Sequence, residues 1–399
     1  MSDLLAEPAS FASKMLSAVA GDVIRLSPGV YPLARVKNGL RAARGGVITV
    51  TAADPASPPR FTEGFNMDGW VDVNLVGLDF DITSASAKHA QAVVVTGGRG
   101  LSFIGGRIVG RRTSDDRWGY GIGAGDVTGL TIKGMEGRDL RRGFIIGNCN
   151  DVEILENDLS SLGSDAIDIG SCERVMIARN LLSDFNPTGS DHPDGIQVMA
   201  PTGSKVCRDV SIVDNLIRAG TGRRPQGIFI KAENGERHQG VTVARNLVIN
   251  AAYHAVCVTD ADGVQVRDNE ALFQQGAESK PDKSWVQVDN AEGVATGNRA
   301  MLVAVNTPAR GEGNVAIPPA TQAEVDAAAT KWEAKFRPPP GAPPEIPAPT
   351  RDELREILGG RTEAKLEPLK RSGRLIVNFA TPAQGVAALA AVLAVGPLN

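Results

Sequence analysis

Ser164-Asp165-Ala166-Ile167-Asp168-Ile169 and Pro193-Asp194-Gly195-Ile196-Gln197-Val198 are two versions of one phrase. Superimposed, they put Asp165 over Asp194, Ile167 over Ile196, Asp168 over Gln197 and Ile169 over Val198. Apolar residues alternate with one free position, the period of a strand with a single buried face. Read as stacked rungs of one coil, the two phrases bring Asp165 and Asp194 within one strand spacing, roughly 5 Å.

The phrase belongs to a repeat. Leu130-Thr131-Ile132, Val152-Glu153-Ile154 and Val175-Met176-Ile177 follow one another at steps of 22 and 23 residues, and the same anchor recurs at Val73, Leu101, Val210, Val241 and Val264. A period of this size is the mark of a solenoid. Five residues past the later anchors stand Asn157, Asn180, Asn215, Asn246 and Asn269, with Asn298 one short of that spacing after Val294. Asparagine tolerates left-handed backbone and can bond the rungs above and below it, so these residues read as a structural column at a turn. Cys149, Cys172 and Cys207 each precede an anchor by three. They read as a column of buried, reduced thiols; no Cys-x-x-Cys spacing suggests zinc. His238 falls in that column and His89 in an early turn, and both read as incidental.

The second strand of each coil carries two columns directed away from the core. One reads Ile145, Asp168, Gln197, Phe229, Cys257, Gln287; the other, just before the strand, reads Tyr120, Arg142, Asp165, Asp194, Gln226, His254. Like charges on neighbouring rungs repel, so Asp165 over Asp194 needs a use. Either one carboxyl holds a proton as a general acid, or the pair binds a cation, for which a calcium ion is the candidate; no other cofactor is called for. The plainer alternative is a pair of turn aspartates bonded to local amides. The candidate catalytic residues are Asp165, Asp168, Asp194, Lys231 and, on the inserted loop, His192; the candidate substrate-binding residues are Tyr120, Arg142, Gln197, Gln226, His254 and Trp118. Insertions within 180–195, 215–227 and 269–285, with the expanded stretch 111–118, leave the same turn and should wall a groove over this face.

Composition narrows the class. The chain has 399 residues, 42% apolar, with 45 glycines, only 5% aromatics and a net charge of -4, which favours turn-rich β structure and argues against nucleic acid or an anionic membrane as partner. The longest apolar run, 386–395, is about half a membrane span. Met1-Ser2-Asp3-Leu4-Leu5 shows no basic segment followed by an apolar run, so no signal peptide is visible; the expectation is cytoplasmic synthesis, with the protein then virion-associated or released from the cell. The expected organisation is all-β: a capping helix in 1–20 with Ser10 as N-cap, a solenoid over 21–316, a helix and Pro-rich linker over 317–349, and a small C-terminal module over 350–399. Thr321 with Glu324, and Thr350 with Glu353, are capping boxes that open helices.

A helix followed by the alternating strand at Val23-Ile24-Arg25-Leu26 resembles the entry of right-handed parallel β-helices of the pectate lyase type, in which a helix plugs the open end. Pro193-Asp194-Gly195-Ile196, Asp165-Ala166-Ile167 and Phe229-Ile230-Lys231 are similar to the Asn-Thr-Asp-Gly, Asp-Asp and Arg-Ile-Lys motifs of polygalacturonase-type glycosidases. Here Ser164 stands at the first acid of the pair, Phe229 replaces the arginine, and the motif order differs. The resemblance implies a right-handed parallel β-helix with its catalytic groove on the second-strand face, and a polysaccharide as partner. Hydrolysis through the aspartates is the first expectation. A lyase or uronate epimerase using His192, His254, Lys231 and Arg142 is the alternative, since Asp191-His192-Pro193-Asp194 resembles the Asp-Pro-His-Asp motif of alginate epimerases with His and Pro exchanged. A non-catalytic glycan-binding or phage tail protein is the third reading; Trp118, Tyr120, Phe229 and Trp285 could then serve as platforms. The plug and the appended C-terminal region also resemble phage tailspike depolymerases, which implies a homotrimer.

Overall fold

The computed structural model describes residues 2–32, the backbone of 34–37, and 46–114, 116–188, 193–220, 224–274 and 284–337. Asp191 and His192 lie outside the described residues, as do the Pro-rich linker beyond residue 337, the second capping box and the rest of the C-terminal module. The chain divides into two compact units, 1–332 and 333–399, and the solenoid lies wholly in the first.

Each full coil holds three strands where the repeat suggested two. Glu173–Ala178, Leu181–Phe185 and Asp194–Ala200 make one coil, and Arg208–Val213, Leu216–Arg218 and Gln226–Ala232 make the next. The strands of successive coils pair in parallel, with Val175 on Val210, Leu182 on Ile217 and Ile196 on Ile228. The middle strand is only three to five residues long in these coils, too short for alternation to announce it. The register read from the two phrases holds: Ile167 pairs with Ile196, Asp168 with Gln197 and Ile169 with Val198. Those isoleucines and valines, with Ile228, Ile230, Val256 and Val258, are fully buried in a single core running along the axis. The third strands stack into what is here called the acid face.

The asparagines form a continuous buried ladder. Asn180 Oδ1 accepts from the backbone N–H and the Nδ2 of Asn157 at 3.0 and 2.9 Å, and its own Nδ2 donates to Asn215 Oδ1 and Ile154 O, each at 2.9 Å. The same pattern runs on through Asn246, Asn269 and Asn298 to Asn314, which the spacing had not singled out. The left-handed residue, however, is the one before each asparagine: Glu156, Arg179, Asp214, Arg245 and Asp268 have φ of 54 to 59°. The carboxamide must point inward to bridge rungs, so the turn is made one position earlier. Side chains there face out and pair across coils, as Arg179 does with Glu156 at 2.7 Å and Arg245 with Asp214 at 2.8 Å.

The thiol column is also present and reduced. Cys149 N and Cys172 N donate to the sulfurs of Cys172 and Cys207, each at 3.4 Å. His238 completes the column, accepting from Cys207 N at Nδ1 (3.0 Å) and donating from Nε2 to Lys231 O (2.9 Å), which accounts for a buried imidazole without assigning it chemistry.

At the N-terminal end, α1 (Phe11–Ser17) buries Phe11 and Met15, and Phe11 packs on Tyr31, Phe61 and Phe65 with ring centroids 5.7 to 5.9 Å apart. Ser10 occupies the N-cap position with helical backbone and no side-chain cap bond; its Oγ accepts from Glu7 N instead (3.0 Å). A strand unannounced by the sequence, Asp3–Ala6, pairs with Val23–Leu26 as the first rung. At the other end of the solenoid, α2 (Gln322–Phe336) opens with the expected capping box: Thr321 N donates to Glu324 Oε2 at 2.7 Å. It buries Val325, Ala329 and Trp332, and Trp332 Nε1 donates to Asp214 O at 2.9 Å.

Candidate active site on the acid face

Six successive rungs build the acid face: Tyr120–Gly125, Arg142–Gly147, Ile167–Gly170, Asp194–Ala200, Gln226–Ala232 and the start of His254–Arg267. Tyr120 pairs with Arg142, Ile145 with Asp168, Asp168 with Gln197, Asp194 with Gln226, and Gln197 with Phe229. The columns inferred from the sequence are therefore physical neighbours.

The three acids do not share one environment. Asp165 and Asp194 are 3% and 0% exposed, so they are not the outward pair expected from the alternation. Asp165 stands in the turn before Ile167–Gly170 and Asp194 opens the strand Asp194–Ala200, and at both places the side chain is buried beneath its neighbours. Asp165 Oδ1 accepts from Asp194 N at 2.9 Å, the local amide bond of the plainer reading. Asp168, in the outward column, keeps 20% of its side chain exposed. Arg142, with 34% exposed, bridges the cluster: its guanidinium lies 3.2 Å from Asp165 Oδ2 and 3.1 Å from Asp168 Oδ2. The positive charge between these carboxylates is thus a guanidinium, and among the described residues no group of three or more His, Cys, Asp or Glu is arranged to hold a metal ion.

Burial and the neighbouring charges separate the proton affinities. Burial, the negative charge of Asp165 and a smaller one from Asp168 push Asp194 up to about 8, against the hydrogen bond from Gln197 Nε2 to its Oδ2 (2.7 Å). Asp194 Oδ1 is buried with no hydrogen-bond partner among the described residues, a setting more costly for an ionised carboxylate than for a neutral carboxyl. Asp168 is pushed to about 6, first by burial and then by Asp165, with Arg142 acting in the opposite sense.

The flanks of the cluster differ. Before it, Tyr120 OH lies 2.6 Å from His89 Nδ1, which brings His89 onto the face from a turn that had marked it as incidental. After it, His254 Nδ1 lies 2.6 Å from Gln226 Oε1, and burial lowers the His254 pKa. The His254 ring stacks on Phe229, centroids 5.8 Å apart, and meets Trp285 edge-on at 6.2 Å. Lys231 stands beside Met199, two residues along the strand from Phe229 and so away from the carboxylates with which it was grouped. Trp118 carries the Arg111 guanidinium over its ring at 4.9 Å.

One wall is tied together by Asp116. It pairs with Lys88 at 2.5 Å and accepts from Thr188 Oγ1 at 3.2 Å, linking the expanded 111–118 stretch to the insertion before Asp194. Burial pushes the Asp116 carboxyl up, but the bonds from Lys88 and Arg117 N–H outweigh it and hold the group below its ordinary value.

Comparison with known proteins bears on the fold. The chain is similar to the Dettilon tailspike protein with a TM-score of 0.56 and 14% identity, the match covering 78% of this chain and 66% of that one. It is also similar to a Yersinia enterocolitica family 28 exopolygalacturonase (TM-score 0.49, 10% identity, 80% and 79% covered) and to pectate lyase Pel9A (0.44, 16%, 75% and 79%). No curated protein sequence matches it. Residues 92–271 match the profile of the family described as right handed beta helix region. With that match and three-stranded coils stacked in parallel, the solenoid of this chain is a right-handed parallel β-helix.

Proposed function

We propose that this protein is a polysaccharide-active enzyme that hydrolyses a glycosidic bond of a chain lying across the rungs of the acid face, with Asp168 as the proton donor. A ribbon of equal rungs walled on one side offers a linear site, which suits a linear polymer. The observation that carries the reading is the contrast between Asp168 and its two neighbours. Asp168 alone of the three meets solvent to any extent, its proton is held to about 6, and Arg142 sets its orientation. A carboxyl with that affinity populates both forms near neutral pH, as proton delivery to a leaving sugar oxygen requires. Asp194 and Asp165 act through it as positioning residues: Asp194, neutral and bonded to Gln197, adds no second charge, and Asp165 anchors Arg142. In the balanced step, Asp168 gives its proton to the departing oxygen, water adds its oxygen to the sugar carbon, and the proton lost by that water restores the acid.

The test is reducing-end release from a panel of neutral and acidic polysaccharides by the wild type, Asp168→Asn and Asp168→Glu. The Asn variant should lose about 10²–10⁴-fold in kcat with its melting temperature unchanged. Wild-type rates in Asp168→Asn defeat the assignment, and ultraviolet absorbance from an unsaturated uronate product would replace hydrolysis with elimination.

A further inference from the structure

We infer that the glycan is uncharged where it crosses this face, and that Phe229, His254 and Trp285 form a subsite for one of its pyranose rings on the side of Asp194 toward the later coils. The inference rests on the proposed use of the acid face as the glycan site and adds its substrate class. Three half-buried rings stand on successive rungs, Phe229 stacked on His254 and Trp285 edge-on to it, which makes a continuous apolar step beside an otherwise polar ribbon. Gln197 separates Phe229 from Asp168 by one rung, so the step begins roughly 10 Å from the acid. Pyranose rings present C–H faces that pack on aromatic rings, while their hydroxyls need donors and acceptors at the edge. Trp285 Nε1 is buried with no hydrogen-bond partner among the described residues. Gln226, bonded to His254, and Gln287, on the rung below Cys257, add neutral polar groups. Burial depresses the proton affinity of His254, which favours its uncharged ring.

Charge among the described residues of this face weighs against a row of sugar carboxylates. Among the described residues of the two columns of the acid face, Arg142 is the one Lys or Arg, and it is bound to Asp165 and Asp168. Lys231 lies in the next column beside Met199, and Arg224, just before the rung of Phe229, is buried over the Phe273 ring at 4.3 Å. A polyuronate would set a negative charge on every sugar against Asp168 and against three rings that offer no cation.

Calorimetric titration of the Asp168→Asn protein separates this inference from the proposed activity, because it reads binding without turnover. Hexasaccharides of glucose, galactose, mannose and N-acetylglucosamine are compared with hexagalacturonate and hexamannuronate. At least one neutral hexamer should bind more tightly than either uronate, and adding Trp285→Ala or Phe229→Ala should weaken it about tenfold, with Trp285→Phe recovering part of the loss and confirming an intact fold by its melting temperature. Tighter binding of a uronate, neutral binding indifferent to both aromatic variants, or no binding by any probe overturns the inference. Wild-type cleavage of a uronate that Asp168→Asn abolishes would leave the proposed activity standing and overturn the inference alone.

Discussion

Asp165→Asn tests the electrostatic design of the site most directly. Asp165 raises the proton affinity of Asp168 through its negative charge, and both carboxylates hold the same Arg142 guanidinium at 3.2 and 3.1 Å. Taking about 7 Å between the two charges, the span of a guanidinium gripped at both sides, and an effective dielectric of about 20–40, their repulsion is about 1–2 kcal/mol, or about one pKa unit. Replacing Asp165 with asparagine removes that repulsion and leaves Arg142 with Asp168 as its one anionic partner in the bridge. Both changes favour the ionised form of Asp168, so its pKa falls from about 6 toward roughly 5. A general acid works in its protonated form, so activity is lost as pH rises through this pKa. The alkaline limb of kcat/KM should therefore move about one unit toward acid, with the acid-side rate little altered. The asparagine carbonyl can still accept from Asp194 N, so the turn is retained and the effect isolates charge. Full pH profiles of the two proteins on one polysaccharide decide the matter: a limb that stays in place, or moves toward alkali, refutes the coupling and with it the role given to Asp168.

Asp194→Asn should change stability with a defined pH dependence. A folded pKa of about 8 lies above the unfolded value, so the fold binds this proton more tightly; the benefit is complete below about pH 4 and is lost as pH rises through 8. The variant should match the wild type within about 1 kcal/mol at pH 4 and exceed it by on the order of 3 kcal/mol at pH 9, read from urea midpoints; parallel curves would show that Asp194 is not protonated in the fold. Asn215→Ala removes a group that donates to Ile177 O and Asn246 Oδ1 and accepts from Asn180 N, all within 3.0 Å, so it strands buried partners on two coils. A loss of about 3 kcal/mol or more in chemical denaturation is expected, and a loss below about 1 kcal/mol would mean that the ladder is not a cooperative element.

The stack of coils, the pairing of Ile167 with Ile196 and of Asp168 with Gln197, the inward asparagines and the thiol column were all legible in the sequence. Each depends on a local rule: alternation assigns the buried face of a strand, and a side chain that must bridge equal rungs recurs at equal spacing. The short middle strands were hidden because three residues carry no period, and the left-handed turn was displaced by one because residue type reports the bridging side chain rather than the bend. The site was legible as a set of columns but not as chemistry. Asp165, Asp168 and Asp194 are the same residue to a sequence; what distinguishes them is the depth each reaches beneath neighbouring coils and the single guanidinium of Arg142 laid across two of them. Likewise nothing local places His89 against Tyr120, 31 residues away, or Trp285 against His254. Sequence by itself determined the coil and which residues stand on one face, because side-chain polarity and spacing are local properties. Only the tertiary structure decided which carboxylate meets solvent and which keeps a proton, because desolvation and Coulomb interaction depend on distances through space.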